Sequence, residues 1–286
     1  MKTIILFLIG LLSFASFASA QEGRATSDSI CTTEMNLPGS VHVISPSLPS
    51  GYETWSVPEV QDSDKKISVI DNNRSSVQWV TGRPEDNGFA SYSIRKGDTL
   101  RKLTMRMSLG QEDRFVELVL KINRRDERHF PKVGQSVLVP ICIGIAEHYA
   151  PIPENNPNPR GEREVIVFLD SQYAGAYQNG KLQFWYPVST GKTGHETEPG
   201  KYSVNWKAGK DHVSSIDPSW KMPYAVNFTG AGKAIHEQEL PGYEASHGCA
   251  RTSRNGAMAF HDFLRIHDPI TIIGKSPSAK AMMSKN

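Results

Sequence analysis

The chain has 286 residues, with 32 Lys and Arg against 30 Asp and Glu, so its formal net charge is only +2. This balance lacks the basic excess that is typical of nucleic-acid-binding domains, and we expect no nucleic-acid partner. The length is sufficient for one medium domain and one or two small ones.

The first twenty residues have the organisation of a secretory signal peptide. Lys2 provides a positive start, residues 4–12 are apolar, and Ala18-Ser19-Ala20 fits the small-residue cleavage rule. The apolar run is too short to span a bilayer, and no later segment reaches eighteen apolar residues. We therefore expect an exported protein of the periplasm or cell wall, without a stable membrane span.

Three cysteines make an odd set for an oxidising compartment. If Cys249 remains a free thiol, then Cys31 and Cys142 are left as a possible disulfide. Parity alone supports this pairing, so a reduced pair stays open as the alternative.

A pattern of strand, two helices and strand begins at Tyr92. Residues 92–94 favour a strand, residues 96–100 a turn with a helix cap, and residues 137–140 a closing strand. Between them, four apolar residues recur at the spacing of one helix face: Phe115, Leu118, Val119 and Ile122.

This unit resembles the LysM module, including its Tyr-x-Ile-x-x-Gly-Asp-Thr-Leu opening. LysM modules bind the glycan backbone of peptidoglycan or chitin. The resemblance implies that sugar would contact four residues at the first turn: Gly97, Asp98, Thr99 and Leu100. A small packing domain without a ligand remains the alternative, because apolar periodicity reports only a core.

Four prolines between residues 151 and 159 favour a stiff linker. Beyond it, short apolar runs bounded by Gly and Pro predict a mostly β domain, a sandwich or an open barrel. The predicted strands are residues 165–169, 182–186, 202–206, 224–228 and 270–273, with one short helix after Arg251.

The run Ser246-His247-Gly248-Cys249-Ala250-Arg251, with His236 upstream, is the motif that most directly indicates chemistry. A thiolate is a strong nucleophile, and a neighbouring imidazole can generate it near neutral pH. Gly248 permits a sharp turn, and the N–H groups of Gly248 and Cys249 could stabilise an oxyanion. The motif therefore predicts a cysteine acyl-transfer site.

The same run resembles the active-site signature of the L,D-transpeptidases, the YkuD-like enzymes that crosslink peptidoglycan. The resemblance implies that Cys249 is the nucleophile and His236 its general base or acid, with His247 and Ser246 as supporting residues. It also implies that Gly248 shapes the oxyanion hole and that Arg251 orients the substrate or braces the site. Residues 188–200 resemble an upstream segment of the family, and the likeness extends over about residues 163–274. One departure is Glu237, where the family often has Gly.

The predicted donor is a peptidoglycan stem peptide, which would lose its terminal D-alanine and form a thioester on Cys249. An amine of another stem peptide, or of an anchored protein, would then complete the transfer, with no cofactor. Hydrolysis by water at the same site, giving a carboxypeptidase or endopeptidase, is one alternative. A wall-binding protein without catalysis is another.

Zinc binding is an alternative use of the same histidine and cysteine residues. The helical His-Glu-x-x-His pattern fails because Leu240 stands where the second histidine is needed, and no Cys-x-x-Cys pair occurs. We therefore predict no metal. The predicted organisation is a signal peptide (1–20), a region without assigned function (21–90), a LysM-like module (91–141), a Pro-rich linker (142–162), a catalytic domain (163–275) and a disordered tail (276–286).

Overall fold

The computed structural model describes residues 79–277. The predicted signal peptide, most of the region 21–90, most of the predicted tail and Cys31 lie outside the described residues. Cys142 is disulfide-bonded.

The first unit has the order strand, helix, helix, strand. It consists of β1 (Phe89–Ser93), α1 (Leu100–Met107), α2 (Glu112–Ile122) and β2 (Ser136–Pro140). The two strands pair antiparallel, and the four apolar residues predicted for one helix face are all buried on α2. We call residues 89–140 the accessory unit.

Local hydrogen bonds set the ends of these helices. The hydroxyl of Thr99 accepts from the backbone N–H of Lys102 and so begins α1. After α2, the amide of Asn123 bonds the carbonyl oxygens of Val119 and Leu138 and the N–H of Leu138. Asn123 therefore joins the end of α2 to β2.

The second unit is built on a nine-stranded sheet. The strands are β3 (Arg163–Phe168), β4 (Tyr173–Gln178), β5 (Lys181–Ser189), β6 (Gly200–Ser203), β7 (Trp206–Lys207), β8 (Val226–Asn227), β9 (Ala234–Glu237), β10 (Ala250–Thr252) and β11 (Pro269–Ile273). Their order in the sheet is β6-β11-β3-β4-β5-β10-β9-β8-β7, with β3/β11 and β9/β10 parallel.

The sheet is curled, because its two edge strands are joined by only two residues. β6 pairs with β11, β7 pairs with β8, and Val204-Asn205 connects them. The prediction of one strand over residues 202–206 is therefore wrong. The chain breaks there because it crosses from one edge of the sheet to the other, with Val204 fully buried.

The concave face of the sheet surrounds a helix, α4 (Arg254–Phe263), which matches the short helix predicted after Arg251. Ser253 caps this helix by accepting from the N–H of Gly256. One buried cluster joins Phe260 of α4 to Val226 of β8 and Ile270 of β11. Because these strands lie far apart in the strand order, the shared core maintains the curl.

The convex face of β3, β4 and β5 packs against the accessory unit in a single core. The Tyr173 hydroxyl donates to the carbonyl of Ile122 at 2.7 Å, across the two units. The segment predicted as a linker contributes to this core, because Tyr149 and Ile152 are buried there and Trp185 donates to the carbonyl of Tyr149. It contains a short helix, α3 (Ile143–Ala146).

At the C-terminal end of the described chain, Ser276 is buried and its hydroxyl donates to the carboxylate of Glu244. Two 3-10 turns, Pro84–Asp86 and Glu127–His129, complete the regular structure. None of the helices between residues 79 and 277 has the length and apolar character needed to cross a bilayer.

Candidate active site

The parallel strands β9 and β10 bring the predicted histidine and cysteine to one cavity. Ala250 is paired with Ile235 in the register, and both are fully buried in the core. Since side chains alternate along a strand, His236 and Cys249 point to the opposite face. Both line a cavity of about 130 Å³.

Ser246, His247 and Arg251 line the same cavity, as the motif predicts for neighbouring positions. Lys221 and Lys233 also line it. In the part of the chain that the structure describes, the cavity wall includes these cationic side chains and no carboxylate. The cavity therefore favours a substrate that carries negative charge.

His236 has a defined tautomer. Its Nδ1 lies 2.9 Å from the carbonyl oxygen of Glu237, and a carbonyl can only accept, so Nδ1 carries the proton. The Nε2 atom of the neutral ring is therefore unprotonated, and its lone pair can accept a proton. Burial lowers the pKa of His236 to about 4, with Arg251 and His212 acting in the same direction and the Glu237 hydrogen bond opposing. The ring is neutral at pH 7.

Cys249 is half-buried, and burial raises the pKa of its thiol. The Ala234 backbone and the charges of Arg251 and Lys233 oppose this effect without reversing it. The resting site therefore holds a neutral thiol beside a neutral imidazole. The thiol is protonated at rest because desolvation outweighs the nearby positive charges, so formation of the thiolate requires transfer of its proton to a base.

The turn before Cys249 depends on Gly248, which has φ +111°. A Cβ at this position would lie 2.8 Å from Cε of Lys233. The N–H of Gly248 donates to Oγ of Ser246 at 3.0 Å, and Ser246 Oγ–H donates to the Cys249 carbonyl. In the resting site the Gly248 N–H, which is predicted as an oxyanion donor, is thus bonded to Ser246.

A buried threonine joins the upstream segment to this turn. Thr197 Oγ1 accepts from the N–H of Gly191 and donates to the carbonyl of Gly248, both at 2.9 Å. Gly191 also forms a bridge with Ser246, and Lys192 N–H donates to the Ser246 carbonyl. Residues 188–200 and the cysteine motif are thus one connected structure.

His247 is exposed at the cavity and lies between two other rings. Trp220 stacks on it at 5.0 Å with an interplanar angle of 21°, and His195 meets its edge at 4.7 Å. Partial burial lowers the pKa of His247, and the charges of Lys192, His195 and Arg251 add to this. Sequence reasoning missed Trp220 and Lys233, which line the cavity, and His195, which contacts His247, because only the fold brings these three side chains to the site.

Arg251 lies half-buried on β10, with its Cα in register between His236 of β9 and Ser189 of β5. Burial lowers the pKa of its guanidinium, which the charges of Cys249 and Glu239 oppose. Its position beside the cavity is consistent with contact to an anionic substrate group.

The four predicted sugar-contacting residues lie in the turn before α1 and do not line this cavity. The Asp98 carboxylate accepts from the Tyr92 hydroxyl, the Arg95 N–H and the Arg106 guanidinium. It therefore closes the turn internally. Thr99 caps α1, and the half-buried Leu100 packs against the core.

No group of three or more His, Cys, Asp or Glu side chains with the placement needed for a metal ion occurs within residues 79–277.

The family model YkuD, the L,D-transpeptidase catalytic domain, matches residues 162–272. The C-terminal unit therefore carries an L,D-transpeptidase catalytic domain. No curated protein sequence matches the chain.

Among solved structures, the chain is similar to the L,D-transpeptidase (Yku) from Stackebrandtia nassauensis, at 20% identity over 65% of this chain and 96% of that chain, with a TM-score of 0.43. A second, from Xylanimonas cellulosilytica DSM 15894, has 20% identity over 63% and 97%, with a TM-score of 0.43. A third, from Mycobacterium tuberculosis H37Rv, has 15% identity over 65% and 90%, with a TM-score of 0.37.

Proposed function

We propose that this protein is an exported cysteine L,D-transpeptidase that acts on peptidoglycan stem peptides. The observation that carries the proposal is that His236 on β9 and Cys249, the residue before β10, line one cavity in a domain that matches the YkuD family. The disulfide-bonded state of Cys142 supports export, because such bonds persist in oxidising compartments.

In the first half-reaction, Nε2 of His236 takes the thiol proton as Sγ of Cys249 attacks the carbonyl carbon of the donor stem peptide. The tetrahedral intermediate collapses, and the C–N bond to the terminal D-alanine breaks. The imidazolium returns its proton to the leaving amine. A thioester remains on Cys249, so one difficult amide exchange becomes two easier steps.

In the second half-reaction, an acceptor amine attacks the thioester. His236 takes a proton from this amine and returns one to the leaving sulfur, which restores the resting thiol. With Gly248 N–H bonded to Ser246, the backbone N–H of Cys249 is the proposed oxyanion donor. A donor of this kind is often worth ~3 kcal/mol of transition-state stabilisation.

Charge supports the substrate class. A stem peptide carries carboxylates, and Arg251 and Lys221 line the cavity, whereas the ammonium of Lys233 is paired with the Glu198 carboxylate. The stacked pair of Trp220 and His247 offers a flat surface at the same cavity. We assign these residues to substrate binding. Ser246 maintains the geometry of the site, because its hydroxyl bonds the turn before Cys249.

For the accessory unit we propose a LysM-like role in holding the glycan strand. Its support is the sequence resemblance together with the strand–helix–helix–strand order of residues 89–140. Gly97 and Thr99 are exposed at the turn where sugar would bind, whereas Asp98 maintains the shape of that turn.

Incubation of the purified protein with tetrapeptide muropeptides tests the proposal. We expect an acyl-enzyme by intact mass spectrometry, crosslinked dimers as product, and loss of both in Cys249→Ala. His236→Ala should show the same loss, whereas His261→Ala, outside the cavity, should behave as wild type. A normal adduct in Cys249→Ala would refute the nucleophile assignment.

The products also distinguish the second candidate function, hydrolysis. Trimmed monomers without dimers would indicate that water is the acceptor at the same thioester. Sedimentation of Cys249→Ala with insoluble peptidoglycan measures wall binding separately from catalysis, because that variant retains the accessory unit.

A further inference from the structure

The segment between the two catalytic residues is irregular. His236 belongs to β9, the cysteine motif begins at Ser246, and residues 238–245 connect them. We call residues 238–245 the active-site loop. Its first residue is bonded to β10, since Gln238 N–H donates to the Thr252 carbonyl, and its end is bonded to Ser189 through Ala245 N–H.

The middle of the active-site loop is bound by the accessory unit. Oδ2 of Asp126 accepts from the N–H of Leu240 at 2.9 Å, and the N–H of Asp126 donates to the Leu240 carbonyl at 3.0 Å. Arg125 forms an antiparallel bridge with Pro241. The Leu240 side chain is fully buried.

Asp126 is itself held in place. Its Oδ1 accepts from the backbone N–H of His129 at 3.0 Å and lies 2.7 Å from Nδ1 of the same residue. Its pKa is lowered: burial acts to raise it, but hydrogen bonds from Leu240 and His129 outweigh burial. The carboxylate is therefore ionised at neutral pH, with both oxygens engaged.

We propose that Asp126 is a positioning residue for the active site, so that the accessory unit completes the catalytic domain. It touches neither the cavity nor the reacting atoms. Its carboxylate fixes Leu240, and thereby the loop that connects β9, which carries His236, to the motif that begins at Ser246. The expected effect on kinetics rests on the proposed function. The hold of Asp126 on the active-site loop does not depend on that function.

Three full-length variants test this. Asp126→Ala removes both acceptors and leaves the Leu240 N–H without its partner. Asp126→Asn keeps one carbonyl oxygen for that N–H. Arg128→Ala is the matched control, because Arg128 pairs with Glu239 across the same interface but in solvent, where such pairs contribute little.

We expect Asp126→Ala to lower kcat about tenfold and to change KM less than about twofold. The reason is that a misplaced active-site loop affects the transition state and not ground-state binding. Asp126→Asn should recover most of this loss, and Arg128→Ala should match wild type. An unchanged kcat in Asp126→Ala, or a loss confined to KM, would overturn the proposal.

Hydrogen exchange followed by mass spectrometry provides a readout without substrate. We expect faster exchange over residues 238–245 in Asp126→Ala, with α4 and the central strands unchanged. Equal exchange at Leu240 in the variant and wild type would overturn the structural part. If wild type fails to convert muropeptides, the proposed function fails, and the exchange result still decides whether Asp126 holds the loop.

Discussion

The Nδ1 of His236 donates to the carbonyl oxygen of Glu237, the next residue on the same strand, at 2.9 Å. The bond directs the protonated nitrogen at the backbone and leaves Nε2 as the base. Because the acceptor is a main-chain carbonyl, this bond does not depend on the side chain of Glu237. A neutral ring with an unprotonated Nε2 suits a base that takes the thiol proton while the sulfur attacks the substrate. It does not suit a base that ionises the thiol before substrate binds.

The first prediction concerns pH. The pKa of Cys249 is raised and that of His236 is lowered to about 4, so the free enzyme holds a protonated thiol and a neutral imidazole from about pH 5 to beyond pH 8. Since only the thiolate alkylates rapidly, the iodoacetamide rate at Cys249 should rise about tenfold per pH unit across neutrality. Peptide mapping identifies the site.

In the same range, kcat/KM should remain nearly constant between about pH 5 and pH 8, because the base stays neutral and the thiol protonated. An alkylation rate that is already at its plateau by pH 6 would contradict this, since it would require a thiolate–imidazolium pair at rest. Cys249→Ala is the control for alkylation elsewhere.

How far the sequence predicts this site depends on how local each feature is. The apolar face of α2 and the helix cap within residues 96–100 are both encoded within a few positions, and the structure has both, with Thr99 as the cap. The strand over residues 202–206 is not local in this sense. Its break at Val204-Asn205 is imposed by closure of the sheet, which no alternation pattern records.

The chemistry of the site shows the same division. Residue types near Cys249 indicate a nucleophile, but the raised pKa of its thiol depends on burial, which residue types alone do not record. The hydrogen bond from Thr197 to the Gly248 carbonyl and the stacking of Trp220 on His247 join residues that lie far apart in the sequence.

The second prediction concerns Gly248. Its φ of +111° is unfavourable for any other residue, and a Cβ would contact the Lys233 side chain, which is held by Glu198 and the Glu196 carbonyl. We expect Gly248→Ala to reduce the acyl-enzyme rate more than about tenfold. Gly194→Ala is the matched control, because Gly194 also has positive φ but has open space around its missing Cβ. Equal losses in both would show that backbone strain alone is responsible.

The third prediction concerns the Thr197 hydroxyl. Thr197→Val retains the shape but leaves the Gly191 N–H and the Gly248 carbonyl unsatisfied in a buried place. We expect a loss of about 1–3 kcal/mol in the free energy of unfolding, measured by urea titration. Thr197→Ser retains the hydroxyl and should recover most of the stability. A valine variant as stable as wild type would exclude this role.

The fourth prediction separates two tryptophans. Trp220 and Trp206 are 39% and 38% exposed, and each meets a histidine ring, but only Trp220 lines the cavity. We expect Trp220→Ala to raise KM for the donor muropeptide about tenfold, because the flat surface beside His247 is lost. Trp206→Ala should leave KM unchanged. Equal effects of both would indicate general loosening of the β7–β8 region.

The fifth prediction concerns Lys121, whose ammonium lies over the rings of Trp185 and Tyr186 at 4.2 and 4.6 Å. Burial lowers its pKa to about 8, so the unfolded chain binds more protons between about pH 8 and its ordinary 10.5, and stability from this group rises with pH there. Below pH 8 the free-energy cost of burying the charge is fully present, and attraction to the two rings offsets it in part.

Lys121→Met should therefore increase the free energy of unfolding at pH 7 by about 1 kcal/mol and flatten its rise between pH 8 and pH 10. Lys132→Met, at an exposed position, controls for the loss of one positive charge. A destabilised Lys121→Met would mean that contact with the two rings outweighs desolvation.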